Sequence, residues 1–191
     1  MQRLGLVGGA FNPVHLGHLL VAQAAIEELE LDRLFFIPAA QTPFKQETKP
    51  VSAELRLQWL RLALAGKTDC ELDDQEIRRG GVSYTIETAR AYAKKFPQTK
   101  LFYLIGADNV AKLGEWRDAG ELARLLEFAA VPRPGQTPVE FPKPFHGRML
   151  KGFPLEVSSS DIRARVKAGL CVHHLLPPFV AQAIDDARVY L

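Results

Sequence analysis

The chain has 191 residues, a formal net charge of +2, 47 % hydrophobic residues and 24 % charged residues. This length and composition predict one soluble globular domain, residues 1–191, with a sizeable core. The small charge and the lack of lysine and arginine runs give no sign of a nucleic-acid partner. No apolar run suits a signal peptide or a bilayer span, so we expect a cytoplasmic protein with no membrane partner.

Strand-like apolar runs and helix-forming segments alternate along the chain. Strands are predicted over 3–9, 33–39, 70–74, 100–108 and 127–135, with a further short one in the proline-rich stretch 132–154. Helices are predicted over 16–31, 52–66, 83–97, 119–126, 158–170 and 177–191. This alternation is typical of βαβ units, so we predict an α/β domain built on a doubly wound parallel sheet.

Single residues add detail to this outline. Ser52 is expected to cap the second helix and Gly66 to end it. Of the two tryptophans, Trp59 lies in mid-helix, where core packing is expected. The cysteines Cys70 and Cys171 lie far apart without metal-ligand spacing, which favours reduced, buried thiols over a disulfide or a zinc site.

The first candidate site is the stretch GGAFNPVHLGHL, residues 8–19. Gly8 and Gly9 follow the first strand directly and are expected to let a ligand approach the backbone. His15 and His18 stand three apart at a helix start, whose free N–H groups suit phosphate. A glycine pair alone is more often a tight turn, and a lone histidine is more often a core or surface residue. Their combination indicates a ligand site, whereas the H-x-x-H spacing lacks the further ligands of a zinc hydrolase.

The second candidate site is SSSDIRARV, residues 158–166. Its serines can cap a helix, and Arg163 is predicted within the first turn, where its guanidinium suits bidentate contact with phosphate oxygens. In isolation, helix-capping serines and a solvated arginine are the commoner interpretation. The histidine motif near the start of the chain favours the functional interpretation, in which this segment binds phosphate.

These motifs carry a family resemblance. GGAFNPVHLGHL resembles the nucleotidyltransferase signature with its H-x-G-H element, and five later segments follow the order of bacterial nicotinate mononucleotide adenylyltransferases. These segments are IPAAQTPFK (37–45), SYTIET (83–88), IGADNVAKLGEW (105–116), VPRPG (131–135) and SSSDIRARVKAG (158–169). The resemblance implies a Rossmann-like nucleotidyltransferase domain that transfers the adenylyl group of ATP to nicotinate mononucleotide, with Mg²⁺ carried by ATP.

The resemblance also implies roles for individual residues. The catalytic residues are His15, His18 and Arg163. The ATP-binding residues are Gly8, Gly9, Ala10, Phe11, His18, Gly106, Asp108, Ser159 and Arg163. The residues for nicotinate mononucleotide are Lys45, Tyr84, Thr85, Trp116 and Arg133. Trp116 is expected to stack on the pyridinium ring, and backbone N–H groups around Thr85 to favour the nicotinate carboxylate. Asp108 follows a buried strand, where a helix N-cap is the structural interpretation, and the resemblance implies that it also accepts hydrogen bonds from ligand hydroxyls.

The chain departs from the family pattern G-G-T-F-D-P at two positions. Ala10 lacks a hydroxyl and Asn12 lacks a carboxylate, although Asn12 can still form a turn and accept a hydrogen bond. Another H-x-G-H nucleotidyltransferase, acting on nicotinamide mononucleotide, on phosphopantetheine or on an alcohol phosphate with CTP, stays open, as does a non-catalytic nucleotide-binding protein. A homo-oligomer is compatible with the sequence.

Overall fold

The structure, a computed structural model, describes residues 1–43, 51–132, 135, 139–153 and 155–191. Within these residues the chain forms six strands, seven α-helices and one 3₁₀ helix. The strands are β1 (Arg3–Gly9), β2 (Arg33–Pro38), β3 (Cys70–Leu72), β4 (Lys100–Gly106), β5 (Glu127–Val131) and β6 (Gly147–Met149). The helices are α1 (Leu16–Glu28), α2 (Ala53–Leu64), α3 (Gln75–Arg79), α4 (Thr85–Lys95), the 3₁₀ helix (Ala107–Glu115), α5 (Ala119–Leu125), α6 (Ser159–Lys167) and α7 (Pro178–Ala187).

The six strands form one parallel sheet in the order β3-β2-β1-β4-β5-β6. The chain runs outward from β1 to β3 and then crosses back to β4 on the other side of β1. In open α/β sheets, ligands bind beyond the carboxyl ends of the strands at such a reversal. The predicted doubly wound sheet is therefore confirmed, and its reversal lies between the ends of β1 and β4.

Alternating strand residues divide the core between the two faces of the sheet. Phe102 and Leu104 of β4 pack with α1, α2, α6 and α7 on one face. Their neighbours Tyr103 and Ile105 pack with α4, the 3₁₀ helix and α5 on the other. This period of two is what a strand buried on both faces requires. No helix within the described ranges has the length and apolar character needed to cross a membrane.

Every predicted strand and helix is present, but most of them end earlier than predicted: the helix 52–66 ends at Leu64 and not at Gly66, the strand 127–135 ends at Val131, and the helix 177–191 ends at Ala187. Ser52 caps α2 as predicted, with its Oγ accepting from the Leu55 N–H at 3.3 Å. Helix α1 ends at Glu28 instead of residue 31, because Glu30 takes a left-handed conformation (φ 49°) as the chain turns into β2. The helix α3 and the 3₁₀ helix were not predicted, since elements of one or two turns carry little periodic signal.

The cysteine prediction is only partly right. Both thiols are free, as expected, but Cys70 is only half-buried and Cys171 is exposed. Cys171 lies in the connection between α6 and α7, where its carbonyl oxygen accepts hydrogen bonds from Arg165. Trp59, in contrast, is fully buried in the core as predicted.

Candidate active site

Glycines at the ends of β1 and β4 make room for side chains of the protein itself. A Cβ on Gly8 would lie 2.2 Å from the Tyr103 hydroxyl, and one on Gly106 would lie 2.5 Å from Asp108 Oδ1. The Tyr103 hydroxyl is therefore a reason for a glycine at position 8 that the sequence did not indicate, whereas Gly9 has no comparable neighbour. The approach of a ligand to both glycines stays a prediction. Asp108 is the second residue of the 3₁₀ helix, so its prediction as an N-cap is wrong, because Gly106 takes that position.

The start of α6 is fastened to the β1–α1 loop, which we define as residues 10–15. The Ser159 hydroxyl donates to the carbonyl oxygen of Pro13 at 2.8 Å. Arg163 Nη1 donates to the carbonyl oxygen of Asn12, also at 2.8 Å. Arg163 is the fifth residue of α6, just past the predicted first turn. Two segments about 150 residues apart in the chain thus meet at the carboxyl end of β1.

Two further side chains hold the same loop from other directions. Arg56 of α2 donates from Nη1 to the carbonyl oxygen of Ala10 at 2.8 Å. Tyr190, which follows α7, donates from its hydroxyl to Asn12 Oδ1 at 2.6 Å. The expectation that Asn12 can still accept a hydrogen bond is confirmed. Since Asn12 is buried, this bond satisfies an oxygen that would otherwise lack water.

The two histidines stack at the start of α1. Their ring centroids lie 3.8 Å apart, and the Phe11 ring packs edge-on against His18 at 4.9 Å. Between them, Gly17 lies directly beneath the His15 ring, because a Cβ there would be 3.0 Å from its Cε1 and Nδ1 and 3.0 Å from Val157. The glycine of H-x-G-H therefore allows both the histidine ring and the segment leading into α6 to approach the helix.

Burial keeps both histidines neutral near pH 7. It lowers the pKa of His15 from 6.5 to about 4, an effect that the Asp161 carboxylate partly offsets. Burial, together with the neighbouring His15, lowers the pKa of His18 well below 6.5. His18 Nδ1 accepts a hydrogen bond from the His15 backbone N–H at 3.2 Å. A neutral ring that accepts at Nδ1 carries its proton on Nε2, so His18 offers one N–H donor.

A second group of predicted residues lies on the opposite face of the sheet, around the start of α4. Thr85 is the first residue of α4, and its hydroxyl donates to the Tyr103 hydroxyl at 3.4 Å. Tyr84 precedes the helix, with the Arg117 guanidinium 4.6 Å from its ring centroid. The half-buried Trp116 contacts Tyr103 edge-on at 6.1 Å. Because the Tyr103 hydroxyl also lies against the end of β1, this tyrosine joins the two halves of the site.

The structure thus brings most of the predicted site residues to one edge of the sheet in two groups. The group at the end of β1 and the start of α6 contains Gly8, Gly9, Ala10, Phe11, His15, His18, Ser159 and Arg163. The group near α4 and the 3₁₀ helix contains Tyr84, Thr85, Gly106, Asp108 and Trp116. Lys45 and Arg133 lie outside the described residues. Ligand contacts of all these residues stay predictions.

Sequence reasoning missed three residues that shape the site. Tyr103 and Tyr190 carry no local signal, since a tyrosine in a buried strand and one near a helix end are both unremarkable in the sequence. Arg56 does carry one: it falls on the apolar face of α2, four residues before Leu60 and seven before Ala63. A charged residue at such a position is unusual and points to a specific partner.

Comparisons with known proteins identify the family of the chain. Residues 6–165 match the model of the cytidylyltransferase-like family. The chain is 40 % identical over 192 residues to a protein of Opitutus terrae named "Probable nicotinate-nucleotide adenylyltransferase", covering 99 % of this chain and 98 % of that one. A protein of the same name from Exiguobacterium sibiricum is 39 % identical over 199 residues, covering 99 % of each chain.

Among solved structures, the Plasmodium falciparum nicotinic acid mononucleotide adenylyltransferase complexed with NaAD superimposes with a TM-score of 0.80. It is 14 % identical, and the match covers 100 % of this chain and 98 % of that one. At this identity the likeness concerns the fold alone.

The family match spans both the stacked histidines at the end of β1 and the start of α6, and it makes the chain a cytidylyltransferase-like protein. The sequence identity to the relatives of Opitutus terrae and Exiguobacterium sibiricum, which extends over the full length of the chain, identifies the family within this class. The chain belongs to the nicotinate-nucleotide adenylyltransferase family, as its motifs predicted.

Proposed function

We propose that this protein transfers the adenylyl group of ATP to nicotinate mononucleotide, giving nicotinate adenine dinucleotide and pyrophosphate in NAD biosynthesis. The observation that carries the proposal is the fastening of α6 to the β1–α1 loop, through Ser159 and Arg163. This contact brings the Arg163 guanidinium and the N-terminal end of α6 to the strand end where the imidazoles of His15 and His18 lie. Such a set suits a polyphosphate, and the family of the relatives supports the choice of acceptor.

The reaction needs positioning and charge stabilisation more than acid–base chemistry. A phosphate oxygen of the mononucleotide, already anionic at neutral pH, attacks the α-phosphorus of ATP. The new O–P bond forms as the bond to the bridging oxygen of the β-phosphate breaks, and pyrophosphate leaves with that electron pair. No proton must be removed first, so neutral histidines with low pKa values are compatible with this chemistry.

Each donor has a distinct part in this proposal. His18, protonated on Nε2, offers a hydrogen bond to a phosphate oxygen as charge develops there. Arg163 keeps one nitrogen on the loop carbonyl and exchanges the 3.2 Å bond from Nη2 to the exposed Ser160 for a contact with the leaving pyrophosphate. The N-terminal ends of α1 and α6 add favourable dipoles.

The Mg²⁺ ion is proposed to arrive as part of the substrate. Within the described residues no group of three or more His, Cys, Asp or Glu is arranged to hold a metal ion. Mg²⁺ commonly binds through phosphates and water with few protein ligands, so the residues present suit an ion carried by ATP. A cytoplasmic location stays a prediction from the sequence, with which a homo-oligomer is compatible.

Acceptor choice is proposed to lie on the α4 side of the site. The first turn of α4 starts at Thr85, and the N-cap residue Tyr84 makes no side-chain cap hydrogen bond. Backbone N–H groups and the positive end of the helix dipole there favour a carboxylate over a neutral carboxamide. Trp116 is proposed to stack on the pyridinium ring, which favours a cationic ring by a cation–π contact.

The test is an acceptor panel with purified protein and MgATP, scored by dinucleotide formation and pyrophosphate release. Nicotinate mononucleotide should be the best acceptor, ahead of nicotinamide mononucleotide and phosphopantetheine, with ATP preferred over CTP. His18→Asn should lower kcat by about 10²–10³, the usual cost of one lost preorganised donor. A better acceptor in the panel would contradict the proposal, and ATP binding without turnover on any acceptor would favour a non-catalytic protein.

A further inference from the structure

Arg56 is a buried cation without a carboxylate partner among the described residues. Its relative exposure is 2 %, and no acidic side chain in the described part of the chain forms an ion pair with it. Its Nε is buried with no hydrogen-bond partner there. Burying a charge without an ion-pair partner is costly, and burial lowers the pKa of this guanidinium, an effect that the Glu54 carboxylate offsets only in part. A group kept at such a cost needs a reason beyond packing.

The contacts of Arg56 join two strand ends. Its Nη1 donates to the carbonyl oxygens of both Ala10 and Ala39, each at 2.8 Å. Ala10 follows β1 and Ala39 follows β2, and the two strands are parallel neighbours. Beside these two hydrogen bonds, the Ala39 N–H donates to the Gly9 carbonyl oxygen at 2.8 Å, which continues the pairing of β1 with β2 by one more backbone hydrogen bond. One nitrogen atom therefore fixes the spacing of the two chains where they leave the sheet.

The β1–α1 loop requires such external support. Phe11, directly after Ala10, has a φ of 46°, a left-handed conformation that a bulky side chain adopts only under constraint. The Phe11 ring in turn packs against His18 at 4.9 Å. A shift of the Ala10 carbonyl therefore displaces the ring that supports a catalytic histidine.

From this geometry we propose that Arg56 is a positioning residue of the adenylyl-transfer site. It holds Ala10 against Ala39, and thereby sets the place of Phe11 and His18 relative to the triphosphate. Its positive charge, lying behind the loop and only partly offset by the Glu54 carboxylate, also adds to the positive potential that a polyphosphate meets there. The inference rests on the proposed function for its kinetic consequences, but polyphosphate binding tests it separately.

The experiment compares Arg56→Met, Arg56→Lys and the control Arg61→Met, which removes an exposed arginine from the same helix. All assays run at a temperature where circular dichroism shows each variant folded. Arg56→Met should lower kcat/KM for ATP by about 10- to 100-fold, because small misplacements of reacting groups cost this much. The KM for nicotinate mononucleotide should change by less than about threefold. Arg56→Lys keeps the charge, so its kcat/KM for ATP should lie between those of wild type and Arg56→Met. If Arg56→Met does not fold, Arg56→Lys takes its place in the comparison.

A binding readout separates positioning from a purely structural role. Inorganic triphosphate should raise the Tm of wild type and of Arg61→Met equally, and that of Arg56→Met by less than half as much. A folded Arg56→Met with wild-type kinetics and a wild-type triphosphate shift would overturn the inference, as would equal losses toward both substrates. If wild type makes no dinucleotide, the proposed function fails, whereas the triphosphate shift still decides the role of Arg56.

Discussion

Acid should destabilise this protein through the buried histidine at the start of α1. The pKa of His15 is about 4 in the folded chain and 6.5 in the unfolded one. Between these values the unfolded chain binds more protons, so the free energy of unfolding is complete above pH 6.5 and falls as the pH drops toward 4. For this single group the loss between pH 7.5 and pH 5 is about 2 kcal/mol, from the linkage relation with 1.36 kcal/mol per pKa unit.

The measurement is urea unfolding of wild type and His15→Gln at pH 7.5 and pH 5. His15→Gln is less stable at the higher pH because it loses the stacked ring, but its stability should change less between the two conditions. The difference between the two pH effects should be about 2 kcal/mol or more, since removing His15 also relieves His18. The control His174→Gln removes an exposed imidazole, which meets water in both states, and should follow wild type.

The result that refutes this reasoning is a pH effect in His15→Gln equal to that of wild type. It would mean that His15 takes up its proton in the folded chain as readily as in the unfolded one. Burial at the start of α1 would then not hold the ring neutral, and the donor arrangement proposed for His18 would lose its basis.

Three further predictions concern contacts around the same loop and the acceptor side. Gly8→Ala should destabilise the fold and abolish activity, because its Cβ meets the Tyr103 hydroxyl. Adding Tyr103→Phe removes that hydroxyl and should restore most of the stability in thermal unfolding. A double variant as unstable as Gly8→Ala contradicts this reasoning. Tyr190→Phe should cost about 1–3 kcal/mol of unfolding free energy in urea, because it leaves the buried Asn12 oxygen unpaired, and an unchanged midpoint argues against that bond. Trp116→Ala should raise the KM for nicotinate mononucleotide by about 3- to 30-fold, which corresponds to the loss of a cation–π contact. The KM for ATP should stay unchanged. Equal effects on both substrates would rule out stacking.

Much of the fold was predictable because its signals are local. The apolar strands β1, β2, β4 and β5 and the long helices carry clear periodicity, and their alternation determines a parallel sheet. In such a sheet every strand ends at the same edge, so motifs placed after strands necessarily gather there. This is why Gly8 and His15, which follow β1, could be placed at that edge from the residues themselves, whereas Gly106 and Trp116 were assigned through the family resemblance.

The supports of that site were not predictable, because their contacts span long stretches of chain. Arg56 and Ala10 lie 46 residues apart, and Tyr190 and Asn12 lie 178 residues apart. No periodicity or spacing links such pairs, although an arginine on an apolar helix face does indicate that some partner exists. The short α3 and 3₁₀ helices were not predicted for a different reason, since one or two turns contain too few residues to show a periodic pattern.

The sequence by itself determined the succession of strands and long helices along the chain, the family, and the edge of the sheet where chemistry is expected. Local periodicity, helix caps and motif spacing are properties of neighbouring residues, which the chain displays without being folded. Only the tertiary structure decided why Gly8 is a glycine, which side chains hold the β1–α1 loop, and that both histidines are neutral. Those properties depend on desolvation and on contacts between distant segments, which exist only once the chain has packed.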